Sequence, residues 1–195
     1  FQEVLVGGPI RLILLQPPAG LHGIFTPALL VDRLSAVMMV LITGVSAIIH
    51  IYSIRYMQGE RGYARFYALL GLITSVLLGL VCSADLLMLF VCWQLVSWLL
   101  YLLLAYNYER PAAVQTAFKT FLVHRIGDAA FLGGLLLAHR VYGTLEFSTL
   151  FAKAAESPVL FTLGSGLFQL HAVTAITLLI FVGAMAKSAQ FPLHV

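Results

Sequence analysis

Charge is what this chain has least of. Only 10% of its 195 residues are Asp, Glu, Lys or Arg, against roughly 25% in soluble domains, and 61% are hydrophobic. The length would suffice for one soluble domain, but the apolar runs are too long for one. Basic residues exceed acidic ones only slightly, 11 against 8, and no basic stripe is interleaved with aromatics, so a nucleic-acid partner is not expected. Cysteine is nearly missing. Cys82 and Cys92 lie ten apart, in or beside apolar runs, and match no metal or disulfide spacing. They read as small apolar packing residues. His50, His124 and His171 fall on different predicted helices without a haem-ligating pattern, so no cofactor and no resident metal are expected. Asn, Ser and Thr are too sparse on the apolar segments to build the polar cavity of a substrate-binding transporter. The chain opens at Phe1, with neither an initiator Met nor a basic n-region like that of a signal peptide. It closes within an apolar pattern at Val195, so a piece of a longer polypeptide is expected.

What is present is a series of spanning-length apolar segments. The spacing predicts membrane helices over 34–56, 66–83, 86–106, 112–142 and 167–186, since about 20 apolar residues cross a bilayer. The fold class is therefore all-α: a polytopic transmembrane helix bundle over 29–195, of about five helices. Residues 1–28 hold Pro9, Pro17, Pro18 and Pro27 with several glycines between short apolar pieces. They read as an extramembrane strand-and-turn region, hairpin-like, that cannot span. Asp32 and Ser35 offer caps to the first helix. Pro111 suits the first turn of the fourth. In the polar stretch 143–166, Phe147, Leu150 and Phe151 recur at helical spacing and predict a short interfacial helix. The loop with Arg55, Arg61 and Arg65 and the loop ending at Arg110 are the more basic. The positive-inside rule puts both on the cytoplasmic side.

Ionisable groups inside the apolar segments are few and grouped. His50 stands by itself in the first helix and reads as a hydrogen-bonded packing residue. The stretch FKTFLVHRIGD, residues 118–128, carries Lys119, His124, Arg125 and Asp128. On a helix, His124 and Asp128 (four apart) and Arg125 and Asp128 (three apart) can touch on one face. A charge at mid-membrane costs at least about 2.5–3.5 kcal/mol, so such groups face a bundle interior or water and pair with one another. Arg125–Asp128 alone could be a structural ion pair. The full set, joined by Lys187 at the end of a later apolar segment, points to an ion or proton path. Pro192 follows Lys187 by five and predicts a helix break there. Broken helices at membrane depth are tolerated where they line a watery cavity. A desolvated lysine in such a place can take and release a proton. The plainer alternative is a lysine snorkelling at a helix end.

These residues carry a resemblance. VDRLSAVM, RYMQGERGYARFYALL, ERPAAVQTAFKTFLVHRIGD and VGAMAKSAQFPLHV, covering residues 29–195, resemble the antiporter-like proton-channel membrane subunits. That family takes in the NuoL-type subunit of complex I, the Mrp antiporter subunits and the membrane subunit of DAB-type inorganic-carbon pumps. The resemblance implies that this chain is the first of two inverted five-helix repeats, with its last helix broken near Pro192. It assigns Lys187 as the proton-carrying lysine and Asp128 with Arg125 as the charged pair that tunes the path. Complex I members hold a glutamate on the third helix where CWQLVSWLLYLLLAYN here places Gln94, an amide that cannot ionise. That departure favours a divergent branch. The expected function is a proton-conducting subunit that couples proton flux to a partner subunit's reaction, as the membrane part of a DAB-type inorganic-carbon uptake pump. The alternative is the proton-pumping subunit of a complex I type NAD(P)H-quinone oxidoreductase. On either branch the chain is a transport or coupling subunit, and any enzyme activity rests with its partners. The expected partners are other membrane or peripheral subunits, lipid and protons. The expected location is a bacterial inner membrane or an energy-coupling organelle membrane. A structural anchor for a catalytic partner is the competing class. It would explain Gln94 but leaves Lys187 and Asp128 without a purpose.

Overall fold

The computed structural model describes residues 9–14, 28–60, 62–156, 160–163 and 168–191. Among the described residues six helices follow one another: α1 Arg33–Tyr56, α2 Tyr63–Val81, α3 Leu86–Leu104, α4 Pro111–Tyr142, α5 Phe147–Glu156 and α6 Ala172–Lys187. Two antiparallel hairpins accompany them. β1 (Ile10–Ile13) pairs with β2 (Ala28–Val31), and β3 (Leu160–Leu163) pairs with β4 (Phe168–His171). The helices α1 to α4 are long and apolar enough to cross a membrane, and α6 is apolar but shorter, at 16 residues.

The predicted helices are all found, with every bound within three residues of its expected place except the start of the last. β2 runs to Val31, and α1 begins at Arg33, one residue before its expected start. The fifth membrane helix was expected from residue 167. The chain is instead paired as β4 up to His171, and the helix starts at Ala172. A short apolar run reads equally as strand or helix end by its pattern, and only the pairing with β3 decides. The interfacial helix expected around Phe147 is α5.

The chain divides into two compact units. The first holds the β1–β2 hairpin, α1, α2, Val91 onwards in α3, and α4 as far as Phe121. Its opening is a capping box. The Ser35 amide donates to Asp32 Oδ1 and the Asp32 amide donates to Ser35 Oγ, both at 2.7 Å. The Ser35 amide holds the Asp32 carboxyl below its usual range. Leu30 of β2 donates to the Cys82 carbonyl at the end of α2, at 2.7 Å. His50 is tied down as expected of a packing residue. Its Nδ1 lies 2.8 Å from the Ser46 carbonyl, Ser46 Oγ lies 2.7 Å from Thr74 Oγ1 on α2, and the Tyr67 hydroxyl donates to the His50 carbonyl at 3.2 Å. Gly62 (φ +87) turns the chain into α2 in a conformation L side chains rarely adopt. Beyond it, Arg65 donates to the Tyr106 carbonyl at 3.0 Å and lies over the rings of Tyr106 and Tyr108.

Asp32 supports a prediction. Asp32→Ala removes the acceptor for an otherwise orphaned amide and is expected to cost about 1 kcal/mol. Because the folded pKa is depressed, the cap's contribution is complete above the unfolded carboxylate value of about 4. It is lost as pH falls through the lower folded value. Amide exchange at Leu34–Ala36, followed against pH, checks both statements. Equal protection in Asp32→Ala and the parent chain would sink them.

The second unit takes in Ala84–Phe90 and everything described from Leu122 onwards. Buried Asp85 caps α3 by accepting from the Met88 amide at 2.8 Å. Its strand-like neighbours meet the connection after α4. Leu86 donates to the Leu145 carbonyl (2.9 Å) and Phe147 to the Ala84 carbonyl (3.3 Å). α4 closes on Gly143, which has a φ of +67 and whose N–H donates to the His139 carbonyl (2.8 Å), forming a left-handed helix cap.

Candidate functional site

The ionisable cluster is built on the second half of α4 and the end of α6. His124 and Asp128, one helical turn apart, are both buried, at 6% and 4% exposure. Arg125 Nη2 stands 3.7 Å from Asp128 Oδ2, with 31% of its side chain exposed against 5% for Asp128. Lys187, half-buried, is the last helical residue of α6. It lies within electrostatic reach of Asp128, Arg125 and His124. One carboxylate thus serves two cations. With His124 counted as neutral, the four side chains carry one net positive charge when Lys187 holds its proton and none when it does not.

The end of α6 explains why Lys187 stops there. The Ser188 amide and hydroxyl both reach the Ala184 carbonyl, at 3.0 and 2.7 Å. Ala189 then turns left-handed at φ +49, and Gln190 donates to the Met185 carbonyl at 3.1 Å. This is the six-to-one closure of a Schellman-type cap, with alanine where glycine is usual. A left-handed alanine costs of order 1–2 kcal/mol. The helix therefore ends at Lys187 by its own cap. Pro192, to which the break was ascribed, lies outside the described residues.

The two helices approach closely at their glycines. A methyl group at Gly127 would overlap that of Ala186 and would also press on Gly183 Cα and the Val182 carbonyl, each at 3.4 Å. Gly183 faces back, and a methyl there would meet Phe131 Cβ at 3.0 Å and the Gly127 carbonyl at 3.3 Å. Two turns on, Gly134 sits against the Ile176 carbonyl, where a methyl would come to 3.1 Å. Close approach through small residues is how membrane helices gain dispersion contact.

Of the six residues singled out from sequence, the second unit brings together His124, Arg125, Asp128 and Lys187. Gln94, half-buried on α3, and Lys119, exposed on α4, belong to the first unit and are described with it. Gly127, Gly183 and Ala186 were missed. Glycine in an apolar run gives no signal until its neighbour across the helix interface is known. Among the described residues no group of three or more His, Cys, Asp or Glu side chains could hold a metal.

Residues 83–195, more than half of the chain, match the family described as NADH:quinone oxidoreductase/Mrp antiporter, TM. The chain belongs to this family. Residues 24–67 also match the model described as NADH-Ubiquinone oxidoreductase (complex I), chain 5 N-terminus. The chain is 41% identical to the "Probable inorganic carbon transporter subunit DabB1" of Halothiobacillus neapolitanus, over 86% of this chain and 29% of that protein. It is 43% identical to the chloroplastic NAD(P)H-quinone oxidoreductase subunit 5 of Chlorokybus atmophyticus, over 85% of this chain and 26% of that protein. It is 41% identical to NADH-quinone oxidoreductase subunit L of Neisseria meningitidis, over 88% of this chain and 26% of that protein. The solved structure of the Mrp complex from Dietzia sp. DQ12-45-1b superposes with a TM-score of 0.76 at 26% identity, covering 99% of this chain and 20% of that one. The chain therefore spans less than a third of the length of these relatives. With four spanning-length helices among the described residues and this family membership, it is part of an integral membrane protein.

Proposed function

We propose that this chain forms part of a proton-conducting, antiporter-like membrane subunit that couples proton flux to the reaction of a partner subunit. The observation that carries the reading is the cluster on α4 and α6. A lysine at a capped helix end shares one buried carboxylate with an arginine, with a buried histidine beside them. Buried charges at membrane depth are expensive and are kept where they act on an ion pathway. In this reading Lys187 carries the proton and Asp128, held by Arg125, sets how firmly it is kept. His124 and Lys119 extend the path along α4, and on α3 Gln94 takes the place of the carboxylate that complex I members keep there.

The partner is proposed to be that of a DAB-type inorganic-carbon uptake pump, the relative at 41% identity, and the amide at Gln94 is what favours it. Complex I is the second reading, favoured by relatives of that branch at 41–43% identity. Purification of the full-length polypeptide from its native membrane, with identification of the subunits that accompany it, separates the two. A soluble zinc protein of the carbonic-anhydrase type is expected. A peripheral arm with flavin and iron–sulfur clusters would overturn the first branch in favour of the second.

A further inference from the structure

Resting on the proton-path reading above, we propose that Gly127, with Gly183 and Ala186 opposite it, is the positioning residue of this site: it sets the separation of α4 and α6 and so the spacing of Lys187 from Asp128. The placement is specific. Gly127 lies two residues after Arg125 and immediately before Asp128 along α4. The atoms it meets on α6, from Val182 to Ala186, lie within the last turn and a half before Lys187. Gly134 repeats the contact seven residues, two turns, further along the same face of α4. The two helices are thus held nearly backbone to backbone next to the ionisable groups. The groups that face Lys187 across this contact are His124, Arg125 and Asp128, all on α4.

The consequence follows from geometry. Carbon atoms in contact stand about 3.5–4.0 Å apart, so a methyl at Gly127 forces α6 away from α4 or slides it past. Attraction between charges weakens as their separation grows, and a displacement of about 1 Å at a reacting group can cost about 100-fold in rate. The methyl that Gly127 lacks is present on Ala186. Exchanging it between the helices should therefore preserve the spacing, whereas adding a second one should not.

The test uses the full-length polypeptide in its complex, reconstituted in proteoliposomes, with Gly127→Ala, the exchange variant Gly127→Ala/Ala186→Gly, and Lys187→Ala alongside. Gly127→Ala is expected to lose coupled proton transport by about 10- to 100-fold and to show an altered pH profile. The exchange variant is expected to recover both rate and profile. An assembled Gly127→Ala complex with unaltered rate and pH profile would overturn the proposal. So would an exchange variant no better than the single one. If Gly127→Ala alone fails to assemble, the exchange variant decides: assembly with the parental profile supports the proposal, and failure to assemble overturns it. Lys187→Ala keeps the two readings apart. Full transport in that variant refutes the proton path itself. Lost transport there, beside an unaffected Gly127→Ala, refutes only the positioning role.

Discussion

Lys187→Ala abolishes proton-coupled activity while leaving the complex assembled. That is the expected result, and each half has its own reason. Lys187 is half-buried at the capped end of α6, within reach of the carboxylate of Asp128. Within the cluster, Asp128 already has Arg125 beside it at 3.7 Å. Removing the lysine therefore strands no carboxylate, and the four-residue group passes from one net positive charge to neutrality. Membrane packing does not suffer from the loss of a charge, and alanine is the best helix former for a last-turn position. The path, by contrast, loses the group that takes and gives the proton. Alanine has nothing to titrate, so the loss should exceed about 100-fold, beyond the reach of one misplaced contact. Proton transport by reconstituted complexes, read beside their subunit composition, checks both halves. Undiminished coupled transport would leave a snorkelling lysine as the better account.

Asp128→Ala is expected to do the opposite: destabilise first. Asp128 is 4% exposed, and the Arg125 guanidinium cannot shed its charge. Truncating one member of a fully buried pair costs about 3–5 kcal/mol, and the part-exposed Arg125 puts the expected cost at the lower end of that range. In a membrane chain the outcome is poor assembly. The double variant Arg125→Ala/Asp128→Ala separates this cause from a simple packing defect. If the stranded cation is responsible, removing it too should restore part of the stability, so the double variant is more stable than Asp128→Ala and the pair is non-additive. Unfolding of the purified subunit in detergent measures this. An Asp128→Ala protein as stable and as active as the parent would remove the pair from both fold and path.

Much of this was legible because its causes are local. The apolar runs specified α1 to α4 to within a few residues. Asp32 and Ser35 were legible as caps of the first helix, because a cap needs only its own first turn; that they cap each other reciprocally came from the structure. Arg125 and Asp128 could be paired on paper since helical geometry fixes neighbours three and four apart. The start of α6 was misplaced because residues 168–171 lead into the apolar run with no glycine or proline to mark a break, and only their pairing with residues 160–163 withdraws them from the helix. The end of α6 was foreseen at Lys187; its cap includes a left-handed turn at Ala189, which alanine gives no hint of adopting.

The deepest difference lies in the site. The sequence by itself determined which ionisable side chains lie inside apolar helices, because composition and periodicity are properties of single segments. Only the tertiary structure decided that the end of α6 meets α4 at His124, Arg125 and Asp128. That meeting depends on Gly127 and Gly183, 56 positions apart, having no side chains to hold the helices apart. Contact between segments far apart in the chain is a matter of shape at the interface, and no pattern within either helix encodes it.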